Sequence, residues 1–280
     1  MNTNTYALIT GGSSGIGRAI AEELASRKIN VLLVALPGTG TDEVVAELKQ
    51  KFSILADGFE IDLITSNATI KVLDWCKLNH YHVNILVNNA GFGNLCSLEK
   101  SNPAIISNMM LLNNHALVLL TQLFIPEIKQ RKFGYILNVG SLASFMPVPN
   151  KSVYAATKSF VYTFSAALRL ELLPYHIHVS CLCPGGTLTN EQVTTRINSM
   201  NSLNRAFVQL PGEVALEAVT EMFLKKFRVI PGRSNKFLFL LRRILPEFAV
   251  DWILNRIFNR SVLKKPAPAP LGVSFALAFR

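Results

Sequence analysis

Short apolar runs rich in branched residues alternate with helix-length amphipathic stretches from Tyr6 to Cys183. A glycine-rich turn, TGGSSGIG at Thr10–Gly17, joins the first run to the first helix. Near-continuous apolar strands separated by helices predict a parallel sheet covered on both faces. The predicted strands are Tyr6–Thr10, Asn30–Ala35, Gly58–Asp62, Val83–Val87, Gly134–Asn138 and Ile177–Cys183. The predicted helices are Gly15–Lys28, Thr41–Phe52, Ser66–Asn79, one long stretch from Pro103 to Arg131, and Ser152–Pro174. Thr41 and Asp42 suit the N-terminal cap of the second helix. The expected fold class is α/β, a single doubly wound parallel sheet with helices on both faces.

Beyond Pro184 the alternation weakens. Residues 187–210 are polar and read as a flap over a site; Glu213–Lys226 returns to helix and Phe227–Ile230 reads as a last strand. Residues 1–232 are thus expected to form one catalytic domain. Residues 233–263 follow as a basic amphipathic extension broken by Pro246, and 264–280, opening on KKPAPAP, as a linker-like tail. Half of the residues are hydrophobic and 16% are charged, which excludes a disordered chain. No uninterrupted apolar run nears the ~20 residues of a membrane span, and MNTNTYALIT does not resemble a secretory signal. The four cysteines form no CxxC pair, so a reduced, cytoplasmic protein is expected.

Charge is distributed unevenly. Residues 1–224 hold 16 basic and 16 acidic side chains, whereas 225–280 hold 12 and 2. A nucleic-acid binder carries its basic face on the folded body, so no nucleic-acid partner is expected. The basic C-terminal segment is instead a candidate for peripheral contact with an anionic membrane.

The glycines of Thr10–Gly17 would let backbone approach a pyrophosphate, with the N–H groups of the following helix as donors. Such turns are common on their own. Tyr154 and Lys158, four residues apart, share one helix face. A tyrosine hydroxyl has an ordinary pKa near 10, and a fixed ammonium nearby would lower it. Tyr154 could then exchange a proton as general acid or base.

Five further motifs follow the glycine turn in order: NNAG at Asn88–Gly91, Asn113 inside the long helix, NVGS at Asn138–Ser141, YAATK at Tyr154–Lys158 and CPGGTLT at Cys183–Thr189. Together they resemble the short-chain dehydrogenase/reductase family over roughly residues 5–230. The resemblance implies a Rossmann-type domain with catalytic Asn113, Ser141, Tyr154 and Lys158. It also implies a dinucleotide held by Gly11, Ser13, Ser14, Gly15, Ile16, Gly17, Asp62, Leu63, Asn89, Ala90, Gly91, Tyr154, Lys158, Pro184, Gly185, Thr187 and Thr189, without a metal. In the family pattern Ser141 bonds the substrate oxygen and Lys158 binds the nicotinamide ribose. Asn113 holds a water that links Lys158 to solvent, although Asn114 beside it leaves the choice of asparagine open. Asn88 reads as a structural side chain, and Cys181 and Cys183 as small core residues. His80, Tyr81 and His115 read as ordinary helix or loop residues.

An NAD enzyme of this kind carries a carboxylate at the end of the second strand. Ala35 stands there, followed by Leu36 and Pro37, so NADP is the expected cofactor, with NAD left open because no arginine replaces the acid. Ser13, Ser14 and Thr39 are the available hydrogen-bonding groups. Asp62 matches the family's adenine-contacting aspartate.

Pocket positions are expected from Leu142, Phe145, Met146 and Val148, from Asn94 and Leu95, and from the flap. Their apolar character points to a lipophilic ketone, aldehyde or long-chain acyl substrate, with a sugar-like polyol second. A homodimer or homotetramer is the expected assembly. Two other classes compete with an oxidoreductase: a nucleotide-sensing protein without turnover, and a membrane-surface scaffold.

Overall fold

The computed structural model describes residues 5–188, 208–246 and 248–250. Thr189, most of the expected flap, residues 251–263 of the extension and the tail 264–280 lie outside them.

Seven parallel strands form the sheet: β1 (Tyr6–Thr10), β2 (Asn30–Ala35), β3 (Ala56–Glu60), β4 (Val83–Asn88), β5 (Gly134–Val139), β6 (Ile177–Leu182) and β9 (Arg228–Val229). Their spatial order is β3-β2-β1-β4-β5-β6-β9. β7 (Gly186–Thr187) and β8 (Val208–Gln209) pair separately beside the site. The helices are α1 (Gly15–Ser26), α2 (Thr41–Phe52), α3 (Ala68–Leu78), α4 (Pro103–Met110), α5 (Leu117–Gln130), α6 (Ser152–Leu172), α7 (Pro211–Phe223) and α8 (Arg233–Ile244).

Strand periodicity sends successive side chains to opposite faces, and both faces here are apolar. Ala7, Ile9, Val31 and Leu33 pack with Ile20 and Leu24 of α1, Leu48 of α2 and Val219 of α7. Tyr6, Leu8, Leu32 and Val34 pack with Val72 of α3, Phe124 of α5 and Leu168 of α6. The expected doubly wound sheet is the observed one.

Several boundaries differ from the expectation. β3 ends at Glu60, so Asp62 lies two residues past the strand rather than at its end. Gly40 in the left-handed region (φ 75°) caps α2, and Thr41 is instead its first residue. The single long helix is interrupted: a wide π turn, Leu111–Ala116, separates α4 from α5. By length and composition Pro103–Gln130 also suffices to cross a membrane, although polar residues such as Asn113, Asn114 and His115 interrupt its apolar run. Its inner face, with Ala116, Leu120, Phe124 and Ile128, is buried against the sheet.

α8 belongs structurally to the body that precedes it. Leu238 and Phe239 pack beside Leu142, Val161 and Ile230, and buried Asn235 donates to Pro231 O at 2.9 Å.

Candidate active site

The expected site residues that are described come from the loops that follow β1, β3, β4, β5 and β6, from the start of α1, from the π turn and from α6. Strand order reverses between β1 and β4, the position where open α/β sheets bind ligands. The glycine turn is sterically tight. Gly11 has φ +64°, and a β-carbon on Gly17 would lie 2.1 Å from Gly11 O. Asn89 fastens this turn to the loop after β4: its Nδ2 donates to Thr10 O (2.9 Å) and Gly11 O (3.1 Å). The backbone N–H groups of Asn89 and Ala90 donate to Thr10 Oγ1, both at 3.0 Å. α1 starts from Ser14 with no side-chain cap and no acid in its first turn. Its N–H groups and the positive end of its dipole are therefore open to an anion. Ser13, Ser14, Gly15 and Ile16 surround that opening, and a dinucleotide pyrophosphate fits the cradle.

Asp62 Oδ1 accepts Ile64 N–H at 3.1 Å, which shapes the loop after β3 beside buried Leu63. Pro184 O accepts Leu142 N–H at 2.9 Å, tying the loop after β6 to the loop that carries Ser141. Thr187 is buried and its hydroxyl reaches Gly185 O at 3.5 Å.

Ser141 lies just past the end of β5, its hydroxyl accepting Ala143 N–H at 3.1 Å, and its side chain is near enough to the Tyr154 hydroxyl to favour the phenolate. Tyr154 and Lys158 lie one turn apart on α6. Burial pushes the Tyr154 hydroxyl above its ordinary value, against the lowering effect of Ser141. The expected lowering by Lys158 is not seen in the chain alone: burial sets the direction, and Ser141 is what opposes it. Lys158 is 5% exposed and its Nζ donates to Val139 O at 2.8 Å. Burial lowers it from 10.5 to about 8, opposed by Cys181 and Cys183. Those two thiols are fully buried, 3.8 Å apart.

The π turn directs Asn113 rather than Asn114 into this cluster. Asn113 is 1% exposed; its Oδ1 accepts Phe92 N–H (3.0 Å), and its Nδ2 donates to Phe92 O (2.9 Å) and Thr157 Oγ1 (3.1 Å). Asn114 instead donates to Thr157 O. A β-carbon on Gly91 would meet Asn113 Oδ1 at 2.8 Å and Lys158 Nζ at 3.3 Å, so Gly91 lies between the two. Asn88 is structural, as expected, and donates to Thr121 Oγ1 (2.9 Å) and Asn138 Oδ1 (2.8 Å).

Four residues of the site were not singled out from sequence: Gly93 against the Tyr154 ring, Thr157 beside Asn113, Asn235 against Gly185, and Glu60, which accepts Gly38 N–H at 3.0 Å. Among the expected pocket residues, Leu142 and Phe145 turn into a core cluster; Phe145 packs edge-on against Tyr162 and Phe239. The depression beside Tyr154 is lined by the expected Asn94 and also by Leu98, Ile106, Met109 and Val153, interleaved with Cys96, Ser101, Asn150, Lys151 and Ser152.

Residues 5–200 match the family model described as short chain dehydrogenase. The very-long-chain 3-oxoacyl-CoA reductase of Macaca fascicularis is 33% identical over 187 residues, which cover 64% of this chain and 58% of that protein. The matched region therefore spans under two thirds of that relative. A short-chain dehydrogenase from Sphingobium yanoikuyae, solved with NADPH, superimposes with TM-score 0.73 at 26% identity, covering 96% of this chain and 98% of that one. The bulky-bulky ketone specific alcohol dehydrogenase from Comamonas testosteroni gives TM-score 0.72 at 26% identity, covering 95% and 96%.

Proposed function

The chain belongs to the short-chain dehydrogenase/reductase family, and from that premise we propose that it interconverts a carbonyl compound and its alcohol with a nicotinamide dinucleotide. The observation that carries this reading is the grouping of the Ser141 side chain, the Tyr154 hydroxyl it acts on, and buried Lys158 one helical turn away. A nucleotide-sensing or scaffold protein has no use for that set.

When bound, the cofactor supplies or accepts the hydride; the chain handles the proton. Because burial raises the Tyr154 hydroxyl, it stays protonated near neutral pH and serves as donor to the substrate oxygen in reduction. Ser141 offers a second hydroxyl to the same oxygen. Lys158, anchored on Val139 O, holds positive charge near the phenolate left behind, which stabilises it in a site with little water. Both ends of the Asn113 amide are engaged by Phe92 and Thr157, so its side chain acts by position, holding the Gly91–Gly93 segment against Tyr154 and Lys158.

The substrate proposed is a lipophilic ketone, aldehyde or long-chain acyl compound. Leu98, Ile106, Met109 and Val153 beside Tyr154 support the lipophilic part, while Asn94, Ser101, Asn150, Lys151 and Ser152 give the same depression a polar side; the name of the Macaca reductase supports the acyl reading. For the cofactor, Ala35 and the NADPH-bound Sphingobium neighbour favour NADP(H), whereas Glu60 favours NAD(H). Exposed Phe160 and Leu170 on α6 suit a homodimer or homotetramer, and the exposed side of α8 suits an anionic membrane surface.

The test is Tyr154→Phe, assayed by nicotinamide absorbance on ketones and aldehydes of rising chain length. The ring still packs, so dinucleotide affinity should hold while kcat collapses. Retention of more than about a tenth of wild-type kcat puts less than ~1.4 kcal/mol on the proton donor and sinks the assignment.

A further inference from the structure

The choice between the two dinucleotides turns on the end of β2, where the structure supplies a carboxylate that β2 itself lacks. In dinucleotide folds an acid about 20 residues beyond the glycine turn binds the ribose 2′-hydroxyl, and there it excludes a 2′-phosphate. Ala35 holds that place. Yet Ala35 is in parallel register with Glu60, the last residue of β3. The exposed Glu60 side chain crosses to the turn after β2, where Oε2 accepts Gly38 N–H at 3.0 Å. A β-carbon at Gly38 would meet nothing within 4 Å, so the carboxylate stands beside open space.

Resting on the dinucleotide reading above, we propose that Glu60 is a specificity-determining residue that accepts from the adenosine ribose and repels a 2′-phosphate, so that the chain selects NAD(H) over NADP(H).

The surrounding charge agrees. No lysine or arginine occurs between Lys28 and Lys49 or between Lys51 and Lys71, while those two stretches carry Asp42, Glu43, Glu47, Asp57, Glu60 and Asp62. Arg18 on α1 is already held by Glu22 (3.0 Å) and by Glu47. The two helix N-termini contrast in the same sense. α1, with no acid in its first turn, is open to the pyrophosphate, whereas α2 carries Asp42 and Glu43 in its first turn. Its dipole is thereby already matched, and a further anion there meets two carboxylates. The β2 and β3 ends thus offer a 2′-phosphate carboxylates and no lysine or arginine of their own, and like charges at close range repel.

The test needs no substrate. Dissociation constants of NADH and NADPH are measured by fluorescence titration of the full-length protein, for wild type, Glu60→Gln and Glu60→Arg, with melting temperatures as a folding control. Wild type should bind NADH at least tenfold more tightly than NADPH. Glu60→Gln keeps an acceptor for Gly38 N–H and removes only the charge, so it should narrow the ratio several-fold, mainly by tightening NADPH. Glu60→Arg should invert it. A wild type that prefers NADPH, or a ratio that neither variant moves while both stay folded, overturns the proposal. Binding of neither dinucleotide by wild type would overturn the dinucleotide reading itself, and this inference with it.

Discussion

Gly93 lies flat against the ring of Tyr154: a β-carbon there would stand 2.7 Å from Cδ2 and 3.0 Å from Cε2. The loop after β4 is therefore one wall of the slot that fixes the proton donor. Gly93→Ala should push the ring aside rather than unfold the chain, since the intruding methyl meets a side chain and not backbone. Overpacking of this kind costs about 1–3 kcal/mol. A ring displaced from Ser141 should lower kcat at least tenfold, about 1.4 kcal/mol of barrier, with dinucleotide affinity little changed. Wild-type kcat in Gly93→Ala would show that the ring position is not set by this contact.

Lys158 gives a pH signature. Its folded value, about 8, lies below the ordinary 10.5. Between those values the unfolded chain binds the extra proton and the folded chain does not, so this group's contribution to stability rises with pH. Below pH 8 both states are protonated, and the cost of the buried charge is fully present. Tyr154, shifted upward, acts oppositely but only above its ordinary 10. Denaturant unfolding of the cofactor-free protein and of Lys158→Met, at pH 7, 8, 9 and 10, should show wild type gaining on the variant as pH rises from 8. A difference flat over that range would mean that Lys158 is not desolvated as described.

The polar side chains under the site form a ladder. Asn88 Nδ2 reaches Thr121 Oγ1 on α5 and Asn138 Oδ1 on β5, while Asn138 Nδ2 donates to Ser165 Oγ on α6 at 2.9 Å. All four residues are buried. Asn138→Ala removes two of these bonds and leaves donors and acceptors unpaired at roughly 1–3 kcal/mol each. For a chain of this size that lowers Tm by about 5–15 °C. Asn88→Ala combined with Asn138→Ala should cost clearly less than the sum of the single changes, because they share one bond. Strict additivity would show the ladder to be uncoupled.

How far the sequence carried the reading depends on where each signal resides. β1 and β2 were legible residue for residue, because each has a continuous apolar run with a polar residue marking one end, Thr10 or Asn30. β3, ADGFE, is a half-exposed edge strand with two acids, and its predicted start fell two residues late. The π turn left no trace: LLNNHA has the apolar content of ordinary helix, and only the extra width of that turn distinguishes Asn113 from its neighbour. The Ser141, Tyr154 and Lys158 positions were visible as spacing, but the rise in the Tyr154 hydroxyl was not, since burial is a sum over distant segments. Glu60 was invisible for a related reason. Its reach to Gly38 follows from the Ala35–Glu60 register, and periodicity within one strand says nothing about register with the next.

The last expectation concerns α8, whose two sides differ sharply. Asn235, Leu238 and Phe239 face the body, and the Arg228 guanidinium lies over the Phe239 ring at 4.3 Å. Phe237, Leu240 and Ile244 are 64%, 53% and 72% exposed, and Phe248, beyond the end of the helix, is exposed as well. Spacings of three and four residues put the first three on one side of the helix, with Arg233 and Arg243 on the same element. An exposed apolar row on a helix fixed by its other face cannot be explained by packing among the described residues. An anionic bilayer would bury that row, and each nearby Lys or Arg adds about 1 kcal/mol. The full-length protein should therefore sediment with anionic vesicles at low salt, be released by high salt, and ignore neutral vesicles. The triple variant Phe237→Ser, Leu240→Ser, Ile244→Ser should stay in the supernatant with an unchanged melting temperature, because these side chains contribute little to the core. If wild type also stays in the supernatant at low salt, the stripe does not serve as a membrane face.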